Sequence, residues 1–473
     1  MDSNQTLSPT VPQNRDIFDA KQTPVVDKPK IIAQVVGPKR FSPKLIFVLL
    51  GIVIFLLVAM IFVKSVVMKN SQSKEVKITW WSLEEDEEAV QPLIDEYKQK
   101  NPNVVVNFVK QTQQDYRVRL ANSIAKGNGP DIFEFHNSWV VMFKNDLSVN
   151  PSDLSSTFYP VIANDLKTKN GFLGIPLEYD GIALFVNQDI MHAYGKNPPK
   201  TWDDLRKEAT GLTIHDQNGD IRQSGASLGV TTNVDYWQDI FALLSLQNGA
   251  DLTLPSSLMG QSALTFFTNF SKVDKVWNET LPSSSTYFGQ GKLAFYFGKF
   301  SDASGFSKNP NLHFQVVPLP QLPSFGLPVP SISYASYWVN GVSNKSANSN
   351  VAWDFLSFMA SRESLEKLYN NEKKVRGYGN LYPRVDMQNE LLSDTIAGPF
   401  IYQASFAKSW YLNDKTFNGP TGINSQVAKP FSDAISTTNG NSNTDQAVKT
   451  LQIELTKVLA SYGLVRAPVA TSQ

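Results

Sequence analysis

The chain has 473 residues, which is enough for more than one hydrophobic core. Its 43 basic and 43 acidic residues cancel, so the composition gives no reason to expect a nucleic acid or another charged polymer as a partner. The absence of cysteine excludes disulfides, thiolate metal sites and a lipid-modified N-terminal cysteine. An apolar share of 42% is typical of a globular protein that is stabilised by burial.

An apolar segment near the N-terminus predicts a single membrane-spanning helix. Residues 45 to 63 carry no charge, and as a helix they would extend about 28 Å, close to the thickness of a bilayer core. The long segment before them and the lack of a small-x-small cleavage pattern after them favour an uncleaved anchor over a signal peptide. We therefore predict, in chain order, a disordered cytoplasmic tail (1–44), a transmembrane helix (45–67), a linker (68–77) and an extracytoplasmic body (78–473).

The first part of this body alternates short strands with helices. VKITWW, VVVNFV at 104–109 and residues 132–135 are β-rich runs. The segments between them place apolar residues at three- and four-residue spacing, as in Tyr116, Leu120 and Ile124, which predicts helices. A β-α-β-α-β order builds a mostly parallel sheet whose ligands lie at the carboxyl ends of the strands. The segment that follows Phe135 is therefore a candidate for the site.

The rest of the body continues as an α/β protein. Thr201 is a predicted N-cap of one helix, and Gly249 is predicted to end another. LAFYFG at 293–298 and SYWVNGV at 336–342 predict buried strands, and residues 445–459 predict a last helix.

Several of these segments together resemble a known family. They occur in the order VKITWW, NPNVVV, GNGPDIFEF, GIPLEYDGIALFVNQDIM, PPKTWDDL, FGQGKLAFYFG, VVPLP, WVNGVSNKSANSNVAWDFLSFM and GNLYPRVD. This order resembles the extracellular solute-binding protein family 1 of ABC transporters, the maltose-binding-like group. The resemblance covers nearly all of residues 78–473, although each segment taken alone is a packing or turn pattern.

The resemblance implies a two-lobed periplasmic-binding-protein-like fold in which hinge strands cross between the lobes and a cleft separates them. It places 78–181 and 303–336 in lobe one, and 182–302 and 337–473 in lobe two. It also implies a non-enzymatic protein without a cofactor or metal. Such a protein would capture a small polar ligand, a mono- or oligosaccharide, outside the cytoplasm and pass it to the permease subunits of an ABC transporter.

A sugar site needs carboxylates and amides for hydroxyl groups, and aromatic rings for the C–H faces of the sugar. His136, Asn137 and Trp139 follow the third predicted strand, where a parallel sheet binds its ligands. His136 can instead cap its own loop, and that alternative stays open. Asp180 lies seven residues before Asn187, where the family often has an acidic ligand residue. Asp180 can also be part of a simple turn with Gly181.

Other candidates come from both predicted lobes. Trp81 and Glu84 follow the first strand and can form the rim of the cleft. Asp235 and Trp237 are at the start of a predicted helix, whose N-terminus would favour a polar ligand group. Trp237 can equally belong to the core.

The last candidates rest on resemblance to the family. Phe300 occupies a position where family members commonly stack an aromatic ring, although tryptophan is more usual there. Tyr378, Arg384 and Trp410 resemble the family's late segment, which returns to the cleft. The alternatives are core packing for Phe300 and a solvated surface position for Arg384.

Two other functions remain open from the sequence. Glycoside hydrolases also combine carboxylates with aromatic rings, and the sequence alone does not exclude a pair of catalytic carboxylates. A ligand-sensing ectodomain could use the same fold without a permease. The four histidines show no H-E-x-x-H or similar spacing, so the sequence does not point to metal catalysis.

Overall fold

A computed structural model describes residues 42–70, 75–323, 329–440 and 444–466 of the chain. The strands, in chain order, are β1 (Val76–Ser82), β2 (Val104–Lys110), β3 (Ile132–His136), β4 (Lys167–Thr168), β5 (Gly171–Phe172), β6 (Ala183–Asn187), β7 (Ile214–His215), β8 (Ile221–Ala226), β9 (Leu293–Gly298), β10 (Phe314–Val317), β11 (Ser333–Tyr334), β12 (Trp338–Val342) and β13 (Ala407–Lys408).

The helices, in chain order, are α1 (Pro43–Asn70), α2 (Glu87–Lys100), α3 (Tyr116–Ala125), α4 (Val140–Phe143), α5 (Pro160–Leu166), α6 (Gln188–Ala193), α7 (Trp202–Leu212), α8 (Trp237–Gln247), α9 (Leu258–Lys272), α10 (Ser284–Gly289), α11 (Asp302–Phe306), α12 (Ser349–Met359), α13 (Arg362–Arg376), α14 (Gln388–Leu391), α15 (Ala397–Ala404), α16 (Ile423–Asn439) and α17 (Thr444–Ser461). Short 3-10 turns occupy Asn137–Trp139 and Val385–Met387.

The chain separates into two compact units, one on each side of the boundary between residues 73 and 74. The first unit contains α1, in which Phe47, Phe55 and Phe62 are exposed. Taking only the side chains that the structure describes, no helix has the length and apolar content needed to cross a membrane. The predicted anchor is therefore not confirmed. Most of the predicted tail and part of the predicted linker (71–74) lie outside the described residues.

The second unit contains a four-stranded sheet, the first sheet, in the order β12-β3-β1-β2. β1 pairs in parallel with β2 and with β3, which confirms the parallel β-α-β-α-β arrangement predicted from the sequence. The apolar stripe of α2 and that of α3 are buried, as their spacing predicts. The indole of Trp80 packs edge-on against Phe108 and Phe355 in the core of this sheet.

The second sheet has the order β10-β6-β9-β8-β7. All residues of β6 and β9 are buried, which confirms the strand predicted at 293–298. The Trp202 ring at the start of α7 stacks on Phe297 of β9 at 5.5 Å. The Thr201 side chain accepts a hydrogen bond from the backbone N–H of Asp204, so Thr201 is the N-cap that the sequence predicts.

Strand pairing corrects the expected division of the chain between two lobes. The family resemblance implies that 303–336 belongs to the first lobe and 337–473 to the second. In the structure β10 pairs with β6 in the second sheet, whereas β12 pairs with β3 in the first sheet. α13, which follows β12, packs against α2 beside the first sheet, and only later do α16 and α17 pack against α9. The composition of an apolar strand does not show which of two sheets the strand joins. The sheet of β10 and that of β12 are instead set by hydrogen-bond partners that are distant in sequence.

The chain crosses between the two sheets before β6 and again before β12. These two crossings contact each other, because Gly181 forms a bridge with Ala335. A Cβ atom at Gly181 would lie 2.5 Å from the carbonyl oxygen of Tyr334, so only glycine allows this approach. Asp180 is thereby held at the point where the crossings meet.

Candidate functional site

A cavity of about 240 Å³, the first cavity, opens between segments that adjoin both sheets. It is lined by residues of the loop after β1, the crossing before β6, the segment after β9, the start of β12 and two later segments, 376–381 and 415–417. Its lining includes Glu84, Gln113, Glu178, Tyr179, Asp180, Tyr236, Lys299, Phe300, Ser301, Asp302, Ser336, Trp338, Arg376, Tyr378, Asn380, Leu381, Lys415 and Phe417.

Lys299 is a largely buried cation in the first cavity. It directly follows β9, and its Nζ donates a hydrogen bond to Ser336 Oγ at 3.0 Å and lies 3.9 Å from Asp180 Oδ2. Burial lowers the pKa of Lys299, but the surrounding carboxylates, led by Asp180 and Asp239, outweigh burial and raise that pKa. The ammonium group therefore stays charged and can donate hydrogen bonds to a ligand.

Asp180 faces this cation from the crossing before β6. Its Oδ1 accepts a hydrogen bond from the backbone N–H of Gly181 at 2.8 Å. Burial raises the pKa of Asp180 to about 6, and the positive charge of Lys299 opposes that rise. Close to neutral pH, the carboxylate can accept hydrogen bonds from hydroxyl groups.

Two further carboxyl groups, Glu84 and Glu178, line the first cavity. Glu178 Oε1 accepts a hydrogen bond from the backbone N–H of Trp338 at 3.1 Å. Burial raises the pKa of Glu178 well above its usual range, and the negative charge of Glu84 raises it further. Burial also raises the pKa of Glu84, although Lys110 opposes this. Carboxyl groups of this kind can accept a hydrogen bond when ionised and donate one when protonated.

Buried Glu134 holds the loop that carries Glu84. Its Oε2 accepts hydrogen bonds from Ser82 Oγ at 2.8 Å, from the backbone N–H of Leu83 at 2.6 Å and from that of Glu84 at 2.9 Å. Burial raises the pKa of Glu134 to about 7, and the charge of Glu84 acts in the same direction. Glu134 therefore positions the rim of the first cavity without lining it.

Aromatic rings form two groups on the wall of the first cavity. Trp338 and Phe417 stack with 12° between their planes and 6.5 Å between their centroids. Phe300 meets Tyr378 edge-on at 6.0 Å, and the Arg376 guanidinium lies 4.7 Å from the centre of the Tyr378 ring. Flat apolar faces thus lie beside charged groups, which is the combination that sugar rings need.

Backbone strain is concentrated at one side of the first cavity. Three residues there, Tyr236, Lys415 and Phe417, have φ of 59°, 50° and 51°. Their side chains are fixed by contacts: Lys415 Nζ donates to Tyr236 Oη at 2.9 Å, and Tyr236 Oη donates to Asp302 Oδ1 at 3.1 Å. Non-glycine residues in this conformation cost about 1–3 kcal/mol each and cluster at ligand sites.

The first cavity brings together four residues that the sequence analysis proposed as ligand contacts. Glu84, Asp180, Phe300 and Tyr378 all line it. Their role in ligand binding stays a prediction.

Two other candidates, His136 and Trp139, lie behind the cavity wall. His136 is buried, with Nε2 3.0 Å from Ser336 Oγ and Nδ1 2.7 Å from Ser138 Oγ. Burial and then the charge of Lys299 lower the pKa of His136 well below its usual range, so the ring is neutral. His136 and Trp139 both pack edge-on against Trp338. They support a ring of the cavity and do not line it.

The remaining candidates are also placed outside the first cavity. Asp235 accepts a hydrogen bond from the backbone N–H of Ser285 at the start of α10, and Arg384 forms an ion pair with Asp386. Trp237 is buried in α8, and Trp81 is half-buried against the core. Asn137 donates a hydrogen bond to Asp165, and Trp410 packs against Tyr411. None of these six residues lines the first cavity.

Several lining residues were missed although they lie next to predicted ones. Lys299 precedes Phe300, Glu178 lies two residues before Asp180, and Arg376 lies two residues before Tyr378. Trp338 lies in a strand predicted only as packing. The available signal was proximity in sequence, and it could not show that both members of each pair line the same cavity.

The site and the two sheets define a class of protein: a mixed α/β binding protein with a polar and aromatic cavity between two sheets. Residues 92–396 match the family described as bacterial extracellular solute-binding protein. The chain belongs to this family, whose members are binding proteins and are generally not enzymes. The resemblance noted in the sequence is confirmed at this level.

Individual relatives are similar to this chain over different lengths. A maltotriose-binding protein of Pyrococcus abyssi is 25% identical over 137 residues, which is 28% of this chain and 29% of that protein. The match thus spans less than a third of the relative. A solved cyclo/maltodextrin-binding protein complexed with maltotetraose aligns with a TM-score of 0.66 at 16% identity, over 85% of this chain and 100% of that one.

A second solved structure gives the same result. An ABC substrate-binding protein from Listeria monocytogenes in complex with cycloalternan has a TM-score of 0.63 and 20% identity, over 82% of this chain and 100% of that one. At these identities the likeness shows the fold.

Over the described ranges, no group of three or more histidine and acidic side chains could hold a metal ion.

Proposed function

We propose that this chain is an extracytoplasmic solute-binding protein that captures a carbohydrate in the first cavity and delivers it to the permease of an ABC transporter. The observation that carries the proposal is the pairing of aromatic faces with buried charged groups in that cavity. Trp338 with Phe417 and Phe300 with Tyr378 offer flat surfaces to sugar rings. Lys299, together with the carboxyl groups, offers donors and acceptors to hydroxyl groups.

The two relatives with sugars in their structures support the choice of ligand class. Those two proteins are bound to maltotetraose and to cycloalternan, which are oligosaccharides. The open and closed states would differ by rotation about the crossings before β6 and β12. Because the lining comes from segments that adjoin both sheets, a ligand would favour the closed state through contacts to both sides.

Calorimetric titration of the purified chain with maltotriose, mannotriose and their monosaccharides tests the proposal. We expect saturable binding of at least one sugar. Trp338→Ala should weaken it about tenfold, because an aromatic contact of this kind is worth roughly 1 kcal/mol or more. Tyr402→Ala is the control, since Tyr402 is exposed and lies outside the cavity lining.

Two further measurements separate the alternative functions. Chromatography of the sugar after incubation with the chain should recover the sugar intact, and release of shorter sugars would instead identify a glycoside hydrolase. Failure of every sugar to bind would remove the carbohydrate assignment. Co-purification of permease subunits would support delivery to a transporter, whereas a signalling partner in their place would favour a sensing ectodomain.

Membrane attachment through residues 45–63 remains part of this proposal and rests on their uncharged sequence. An anchor of this kind would keep the binding protein close to its transporter and raise its effective concentration there. Fractionation of cells that express the chain, with and without residues 45–63, tests the attachment. Recovery of the full chain in the fraction free of membranes would contradict it.

A further inference from the structure

A second cavity of about 190 Å³ lies apart from the first and shares no lining residue with it. Its walls come from three parts of the chain: the 3-10 turn after β3, α5, and the segment that follows β13. Asn137, Ser138, Asp165, Ser409, Trp410 and Tyr411 line it. Two of these, Asn137 and Trp410, are residues that the sequence analysis assigned to ligand binding.

The carboxylate of Asp165 is the only acidic group among the described residues that line the second cavity. Its Oδ2 accepts hydrogen bonds from Asn137 Nδ2 at 2.9 Å and Tyr337 Oη at 2.7 Å, and its Oδ1 accepts one from Ser409 Oγ at 2.6 Å. All three donors are neutral. A carboxylate oxygen can accept two hydrogen bonds, so Oδ1 has one position left for a ligand.

Asp165 lacks a compensating cation in the described part of the chain. Burial raises the pKa of Asp165, and only the hydrogen bonds from Ser409, Tyr337 and Asn137 oppose that rise. No lysine, arginine or histidine of the described segments contributes. A carboxylate held in such surroundings would gain more from a positive partner than one on an open surface would.

Two aromatic rings complete the second cavity. The rings of Trp410 and Tyr411 are 5.6 Å apart and inclined by 58° to each other. Burial raises the pKa of Tyr411 to about 12, and the charge of Asp165 adds to this, which indicates that the phenol and the carboxylate are close. Aromatic faces beside an anionic group attract organic cations by cation–π interaction.

From this combination we propose that the second cavity is a binding site for a small organic cation that carries an ammonium group. The ammonium group would donate to the free position on Asp165 Oδ1 and lie against the Trp410 and Tyr411 rings. A neutral sugar would leave the charge of Asp165 uncompensated and is disfavoured for this reason. The site is separate from the sugar site proposed above, and its occupation does not depend on that proposal.

Calorimetric titration of the purified full chain with methylammonium, ethylammonium and ethanolammonium chlorides, at matched ionic strength, tests this proposal. We expect saturable binding of at least one of these cations. Asp165→Asn and Trp410→Leu should each weaken it by at least about tenfold, because each removes one attraction of a partly desolvated cation. Trp410→Leu leaves the hydrogen bonds of Asp165 in place. It therefore still tests the proposal if Asp165→Asn does not fold.

The thermal melting of both variants and their affinity for a sugar serve as further readouts. Retained melting and unchanged sugar binding, together with loss of cation binding, support the second site. Absence of cation binding, or binding that neither variant weakens, overturns the proposal. Cation binding that sugar displaces and that Glu178→Gln abolishes would place the cation in the first cavity, and this also overturns it. The function proposed above is tested by the sugar experiments and does not depend on the outcome of the cation titration.

Discussion

The two sheets of the body bury different kinds of side chain. The first sheet encloses polar groups within its strands: Glu134 accepts three hydrogen bonds, and Asn340 accepts one from the Trp80 indole at 2.7 Å. The second sheet is packed with rings, among them Phe185, Phe297 and the Trp202 stacked on it. The comparison indicates that buried polar groups help to shape the cavity at the first sheet, whereas the second sheet is stabilised mainly by packed aromatic rings.

The largest expected effect concerns the second sheet. Phe297→Ala should lower the free energy of unfolding by about 3–5 kcal/mol, because it leaves a hole under the Trp202 ring in a fully buried strand. Urea denaturation followed by circular dichroism measures this loss. Val273→Ala, at an exposed position, is the control and should change stability by less than about 0.5 kcal/mol. If Phe297→Ala cost no more than this control, stability would not reside in the rings of the second sheet.

A smaller effect should distinguish the first sheet by its dependence on pH. The pKa of Glu134 is about 7 in the folded chain and 4.5 for an ordinary glutamate. The folded chain therefore binds the proton more tightly, and its stability falls as pH rises from about 4.5 through 7. Glu134→Gln should remove part of this slope, on the order of 1–3 kcal/mol across the window. Asp180 and Asp239, with pKa values of about 6 and 7, and buried Glu85 and Glu178, whose pKa values burial also raises, should contribute to the slope that remains.

Urea denaturation at a series of pH values between 4.5 and 8 measures that slope. Asp153→Asn is a suitable control, because hydrogen bonds from Ser155 and Lys167 lower the pKa of this exposed group to about 2. Its proton is lost below the window in the folded chain, and its variant should leave the slope nearly unchanged. An identical slope in Glu134→Gln and in the parent chain would show that Glu134 does not titrate in this range.

The smallest expected effect belongs to an ion pair at the periphery of the second sheet. Arg206 in α7 holds Asp274 through two hydrogen bonds, of 2.6 and 2.8 Å. Arg206→Lys keeps the charge but loses the planar fork, and it should lower stability by less than about 1 kcal/mol. A double-mutant cycle with Asp274→Asn measures the coupling. If the coupling free energy of Arg206 and Asp274 exceeded the loss of unfolding free energy in Phe297→Ala, charged pairs would stabilise the second sheet more than its aromatic rings do.

Much of the local structure could be predicted from the sequence. The helix that contains Tyr116 and Leu120, the N-cap at Thr201 and the strand at 293–298 all follow from spacing and capping rules. These features depend on residues within a few positions of one another. The family could also be recognised, because the order of the segments is itself information along the chain.

The candidate site was only partly predictable, because its parts meet from distant positions. Lys299 contacts Ser336, and Ser336 contacts His136, across 37 and 200 positions of sequence. Sequence alone selected Phe300 but not the adjacent Lys299, and Trp139 but not the Trp338 ring that it supports.

What the sequence determined by itself was therefore the α/β character, several of the helices and strands, and the class of binding protein. Tertiary structure alone decided which sheet receives 338–342 and which side chains face the first cavity. The physical reason is that strand pairing and the cavity wall are built from segments far apart in the sequence, and local patterns do not specify which of these segments meet.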